Sequence, residues 1–282
     1  MRTIWITGAG GLIGSYLVRC APQFMPEPRV AALTRQQLDL TDSPALRAEF
    51  KRQSPQLVIH CAALSRSTEC EADPALARRL NVAVTARLAE LAAGIPLVFL
   101  STDLVFDGRT GHYDEGAAVN PLSTYAETKA EAEKVILTNR RHTVIRTSLN
   151  GGTSPTGDRG FNEQMRQAWQ EGRSLRLFTD EFRSPIPAEV TARAVWQLVV
   201  SNQAELYHVA GSERLSRWQI GQLLAARCPQ LNPKIEPASL KEYAGAPRAP
   251  DTSLNCAKAQ KFLSFRLPGL TEWLGAHPDE VF

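Results

Sequence analysis

The sequence predicts an α/β fold: a doubly wound parallel sheet with helices on both faces, followed by a smaller C-terminal α/β lobe. Three observations carry that reading. Short runs rich in Val, Ile and Leu alternate with helical patterns through the first half of the chain. A glycine triplet, Gly8, Gly11 and Gly14, directly follows the first run. After about residue 149 the alternation stops, and "NGGTSPTGDRG" reads as a loop. Repeated strand–helix–strand units require right-handed crossovers and a parallel sheet. A chain of 282 residues suits one large domain with an appended lobe. We place the division at 1–149 and 150–282, and expect some later segments to return to the main sheet.

The strand candidates are "TIWITGA", "RVAALT", "QLVIHCAA", "PLVFLST" and "HTVIRTS". They are apolar on successive residues, as strands buried on both faces must be. Between them, "DSPALRAEFKRQ" opens on an N-cap candidate, Asp42 or Ser43, with Pro44 in the first turn. "DPALARRLNVAVTARLAELAA" opens on Asp-Pro and predicts one long helix, and "NPLSTYAETKAEAEKVIL" predicts another. In the second part, helical patterns run over 161–171, 188–200 and 216–227, with strand-like "SLRLF" and "ELYHVAG" among them.

The glycine triplet stands between a strand and the helix pattern "GLIGSYLVRC". A tight strand-to-helix turn needs positive φ. A diphosphate must approach backbone that a Cβ would block, and the helix N-terminus offers it free N–H groups. The first half is therefore read as a Rossmann-type dinucleotide-binding unit. The second run ends "LTRQQLDLTD", where Arg35 precedes any carboxylate. A guanidinium suits a 2′-phosphate, which favours NADP(H) and leaves NAD(H) open.

Thr102 ends the fourth run, and Tyr125 and Lys129 follow at i and i+4 on one helix face. Carboxyl ends of parallel strands face the ligand crevice. An ammonium beside a phenol is expected to lower its pKa from about 10. Such a phenol can protonate a carbonyl under reduction, with the Thr102 hydroxyl polarising the same oxygen. Thr102, Tyr125 and Lys129 are therefore the catalytic candidates, Tyr125 and Lys129 also touching the cofactor.

On "TGAGGLIG", "LDLTD", "HCAALSRSTECEADPALARRLNV", "STDLVFDG" and "PLSTYAETKAEAE", the chain resembles the extended short-chain dehydrogenase/reductases. Within them it is similar to the dTDP-4-dehydrorhamnose reductases. "TDEFRSPIPAEVTARAV", "YHVAGSERLS" and "RAPDTSLNCAKA" extend the resemblance over nearly the whole length. It implies NADPH-dependent reduction of the C4 ketone of a nucleotide-linked 4-keto-6-deoxy sugar. It implies cofactor contacts from Leu12 and Ile13 of the glycine loop, Asp39 and Leu40, Cys61, Ala62 and Ala63, and Asn81. It places Asp103 near the sugar hydroxyls and the nucleotide over the C-terminal lobe. There Arg183 and Arg248 are candidates for a substrate diphosphate, with structural ion pairs as the equal alternative.

Two departures bear on substrate. Leu104 stands where dehydratases of this fold carry Glu, which argues against water elimination. After "VIRTS" the reductases carry an aromatic, where this chain has Leu149 followed by Asn150, a further substrate candidate. The loop that begins there is read either as a lid over substrate or as a tolerated insertion. The non-catalytic β subunit of methionine adenosyltransferase resembles this family too, so a regulatory NADP-binding subunit is a rival reading. A reductase of a non-nucleotide carbonyl compound is another.

A net charge of +3 and no basic–aromatic cluster argue against nucleic acid. Five unpaired-looking cysteines, none in CxxC, indicate reduced thiols, a cytoplasmic protein and no metal site. The N-terminal apolar run is too short for a signal sequence, and no stretch is of membrane-spanning length. A homodimer is left open.

Overall fold

The computed structural model describes residues 3–25, 29–280 and 282. The strand runs form β1 (Thr3–Thr7), β2 (Arg29–Leu33), β3 (Leu57–His60), β4 (Leu97–Thr102) and β5 (Thr143–Thr147). The helices between them are α1 (Leu12–Phe24), α2 (Ser43–Gln53), α3 (Ser67–Ala72), α4 (Pro74–Arg78), α5 (Val84–Leu91) and α6 (Thr124–Ile136). Beyond them come β6 (Asn150–Gly151), α7 (Phe161–Gln170), β7 (Ser174–Phe178), β8 (Phe182–Arg183), β9 (Ile186–Pro187) and α8 (Ala188–Val200). The chain ends with β10 (Leu206–Val209), β11 (Leu215–Ser216), α9 (Arg217–Arg227), β12 (Lys234–Ala238), α10 (Ala257–Gln260) and α11 (Leu270–Ala276).

One six-stranded sheet has the order β10-β5-β4-β3-β1-β2. Its pairs are all parallel. The winding reverses at β1, so β1 and β3 flank the switch point where ligands bind. Strand alternation explains the unbroken apolar runs. Ile4 and Ile6 enter the core beneath α1 and α8, whereas Trp5 enters the one beneath α2, α5 and α6. Val98 and Leu100 divide from Leu97 and Phe99 in the same way.

Two elements of the second part join this layer. β10 pairs with β5 at the sheet edge, and α8 packs on α1, where the Trp196 indole donates to Leu17 O at 2.9 Å. The remaining segments form small two-stranded pairs, β12 with β7, β11 with β8 and β6 with β9. Of these, β8 reaches the carboxyl end of β4, where Arg183 bonds Asp103.

The N-cap of α2 is Asp42, whose carboxylate accepts from Ala45 N at 3.0 Å. The single helix expected from Asp73 onward is broken. Asp73 caps α4, and then a π-helical turn, Arg79–Ala83, precedes α5. The cause is Asn81, buried in that turn. Its amide donates to Leu64 O and to Thr128 Oγ1, and its carbonyl accepts from Leu64 N. Periodicity cannot register such a bulge, which often marks functional sites.

His60 ends β3 at zero exposure. Thr85 spends its hydroxyl proton on Asn81 O, so it accepts from His60 Nε2, and His60 Nδ1 accepts from Thr7. Burial pushes His60 and His208 down to about 3, so both are neutral in the fold. Their depressed pKa makes the unfolded chain bind more protons below about 6.5. Stability is expected to be full above that pH. Toward pH 5 it should fall by about 1.4 kcal/mol per pH unit for each histidine. Urea unfolding at pH 7 and pH 5 measures this, and equal midpoints would contradict it.

Candidate functional site

The glycine loop is built as a cradle. Gly8 adopts φ +68°, and a Cβ there would meet Ala62 N at 2.7 Å. A Cβ at Gly14 would strike Gly8 O. Gly11, the N-cap of α1, lends no side-chain hydrogen bond, so the first turn keeps donors for an anion. These features fit a dinucleotide diphosphate. The loop residues Leu12 and Ile13 begin α1, with Leu12 buried. Cys61, Ala62 and Ala63 follow β3 across from Gly8, and burial pushes the Cys61 thiol up to about 12.

A cavity of about 640 Å³ opens beside this cradle, lined by Ser15 and Arg19 of α1, Thr34, Gln36 and Gln37 after β2, and Thr153. Arg35 does not line it. The Thr34 to Gln37 turn, closed by Thr34 N to Gln37 Oε1 at 2.8 Å, leaves Arg35 exposed. The lining cation is Arg19, whose guanidinium carbon lies 3.9 Å from the Tyr16 ring centroid. The sequence reading missed it. The signal was the i, i+3, i+4 spacing of Ser15, Val18 and Arg19, which puts all three on one face of α1. Asp39 is exposed and holds Thr41 N and Oγ1, which lower its carboxyl pKa. Leu40 is half-buried. Asn81 is spent on Leu64 and Thr128, so it acts by fixing the 61–64 loop to α6 rather than through free polar atoms.

The 150–160 loop is held by side-chain hydrogen bonds. The Glu163 carboxylate gathers Ser154 N, Ser154 Oγ, Arg159 N and Gly160 N at 2.7 to 2.9 Å. Thr153 N donates to Tyr16 OH at 3.1 Å, and Arg66 reaches Asp158 at 3.1 Å. The loop thus walls the cofactor side. Asn150 is engaged by Thr147, Ser148 and Thr191, and Leu149 packs against the core.

At the end of β4, Thr102 Oγ1 accepts from Leu104 N and donates to Asp103 Oδ1, both at 3.2 Å. Thr102 also meets the Tyr125 phenol and works to lower its pKa. The Asp103 carboxylate is completely buried and receives Arg183 Nε at 2.6 Å and Nη2 at 2.5 Å, Ser148 Oγ at 2.6 Å and Thr252 Oγ1 at 3.0 Å. Arg248 donates to Glu181 at 2.6 and 3.0 Å. For Arg183 and Arg248 the ion-pair alternative therefore describes this structure, and Asp103 faces Arg183 instead of offering a free carboxylate.

The tuning expected of Lys129 is corrected. Its ammonium donates to Leu100 O at 2.6 Å, lies 3.8 Å from the Phe99 ring centroid, and is pushed down to about 7 by burial. The Tyr125 phenol is raised instead of lowered, first by burial and then by the Asp103 charge. A buried lysine that sheds its charge and finds a carbonyl does not acidify its neighbour.

A glycine-cradled parallel sheet, with a hydroxyl and a phenol meeting at the carboxyl end of β4, is that of the extended short-chain dehydrogenase/reductase class. Residues 1–280 match the RmlD substrate binding domain family, and the chain belongs to it. The methionine adenosyltransferase 2 subunit beta of Xenopus laevis is 27% identical over 279 residues, covering 92% of this chain and 82% of its own. The dTDP-4-dehydrorhamnose reductase of Sinorhizobium fredii is 27% identical over 282 residues, covering 95% and 93%. The crystal structure of a hypothetical dTDP-4-dehydrorhamnose reductase from Sulfolobus tokodaii matches with a TM-score of 0.82 at 28% identity, covering 96% and 97%. Among the described residues no His, Cys, Asp and Glu cluster could hold a metal, and no helix is long and apolar enough to cross a membrane.

Asp103→Asn leaves Arg183 buried without a counter-charge and should lower the unfolding free energy by about 3–5 kcal/mol. Removal of Arg109, in an exposed pair with Asp107, should cost less than about 1 kcal/mol. Comparable losses in urea unfolding would contradict this. Lys129 has a folded pKa well below the unfolded value near 10.4, so its burial costs stability below that pH. Lys129→Met should melt higher than the wild type at pH 8, with the gap closing toward pH 10; a lower melting temperature at pH 8 would reverse the sign.

Proposed function

We propose that the chain is an NADPH-dependent reductase of a nucleotide-linked 4-keto-6-deoxy sugar, similar in action to a dTDP-4-dehydrorhamnose reductase. One observation carries this reading: Thr102, Tyr125 and the Asp103–Arg183 pair meet at the carboxyl end of β4. Bound NADPH supplies hydride to the ketone carbon. Tyr125 gives its hydroxyl proton to the ketone oxygen, completing the alcohol and leaving a phenolate that solvent reprotonates. A phenol is protonated at neutral pH, as a proton donor in the reductive direction must be. Thr102 orients the ketone. Lys129 takes up the cofactor ribose in place of Leu100 O.

The preference for NADPH rests on Arg19, which lines the cavity beside the turn after β2, and on a lining that includes no carboxylate. A second reading, an NADP-binding regulatory subunit, is favoured by Leu149 and the fully engaged Asn150, which present no aromatic ring to a sugar.

NADPH oxidation followed at 340 nm with dTDP- and UDP-linked 4-keto sugars decides between the readings. Turnover is expected, and Tyr125→Phe should reduce it by about a hundredfold or more with NADPH affinity retained. Tight NADPH binding without turnover on any substrate would favour the regulatory reading. In calorimetry, Arg19→Ala should weaken 2′,5′-ADP about tenfold and leave 5′-AMP unchanged, with Arg35→Ala having the smaller effect. Equal losses for both ligands would remove Arg19 from 2′-phosphate recognition.

A further inference from the structure

Thr153, Ser154 and Pro155 of the 150–160 loop line the cofactor cavity, and the loop leaves β6 through two glycines, Gly151 and Gly152. Two rings from distant parts of the chain close on that pair. A Cβ at Gly152 would meet the hydroxyl of Tyr16, on α1, at 2.7 Å, and a Cβ at Gly151 would strike the ring of Phe282. Tyr16 also ties the loop by accepting from Thr153 N at 3.1 Å. Phe282 is only 3% exposed, and its ring packs against those of Phe161 and Trp273, with centroids at 5.7 and 5.5 Å. Phe161 opens α7, where the loop rejoins regular structure. One ring therefore touches the loop at both of its ends.

The segment that leads to Phe282 is held by a single side chain. The Arg227 guanidinium, from the last turn of α9, donates to Leu274 O, His277 O, Pro278 O and Glu280 O at 2.6 to 3.0 Å. A forked cation suits carbonyls left open where α11 ends. The Glu163 hydrogen bonds shape the loop from within, whereas Phe282 fixes its two ends relative to each other. A large ring in a close-packed core passes its position on to its neighbours, which cannot collapse onto it or swing past it. We propose that Phe282 is a positioning residue for the cofactor: clamped by Arg227, its ring spans the 150–160 loop and sets Thr153, Ser154 and Pro155 at the wall that faces Arg19. This goes beyond the proposed reaction and needs only the bound cofactor.

The test is calorimetric titration of the full chain with NADPH and with 2′,5′-ADP. Phe282→Ala should weaken both by about tenfold, and Phe282→Leu should recover part of the loss. Arg227→Met keeps the ring but frees the segment that carries it, and should weaken both ligands in the same way. The two changes together should cost no more than the larger alone, because they act on one contact. Phe50→Ala is the control for a merely structural effect. Phe50 packs edge-on against Trp5, in the core on the opposite face of the sheet from Phe282. Its loss should lower the urea midpoint and leave both affinities unchanged. Unchanged affinities in Phe282→Ala or in Arg227→Met would overturn the proposal, as would an equal weakening in Phe50→Ala or no binding of NADPH by wild type. Weakening confined to the Phe282 and Arg227 variants would uphold it, whether or not the protein reduces a ketone.

Discussion

The site depends on one buried carboxylate. Asp103 has no contact with water, and a carboxylate so placed must be matched in charge and hydrogen bonding. Its partners come from far along the chain: Ser148 after β5, Arg183 on β8 and Thr252 in the C-terminal segment. The ion pair therefore ties the second lobe to the strand that carries Thr102. Asp103 is also the second influence, after burial, that raises the Tyr125 phenol, so the contact that joins the lobes bears on that hydroxyl.

The layer below follows the same rule. Glu133, one turn beyond Lys129 on α6, is buried against Arg146 of β5 at 2.7 Å. Arg146 continues to His208 on β10, and the opposite nitrogen of His208 meets Tyr113 O at 3.1 Å. α6 is thus fixed in rotation and height by a charge pair that would be costly to break. Glu133 is also the main influence holding the Lys129 charge up against burial. The helix bearing the phenol and the amine cannot slide on the sheet without exposing half of an ion pair.

On the cofactor side, backbone shape does what charge does on the substrate side. Glycines at positions 8 and 14 bring the loop against the turn after β3 and leave the first donors of α1 uncommitted. Asn81 joins that turn to α6 through Leu64 and Thr128, so the glycine cradle and the helix bearing Tyr125 share one hydrogen-bonded frame. Glu163 gathers the 150–160 loop, and Thr153 N bonds it to Tyr16 of α1.

Local sequence determined the parallel sheet, the glycine turn and the placing of Thr102, Tyr125 and Lys129, because strand burial, positive φ and helical spacing are properties of neighbouring residues. It did not determine how the charges pair. Arg183 and Arg248 look like free arginines in sequence, and only the meeting of β4, β8 and the C-terminal segment decides that both are neutralised. In the same way Arg19 and Arg35 differ by which face of α1 or which turn residue meets the cavity. The direction of the Tyr125 pKa shift was equally out of reach. An i, i+4 spacing shows that an amine can approach a phenol, but burial and a carboxylate distant in the chain decide what the phenol feels.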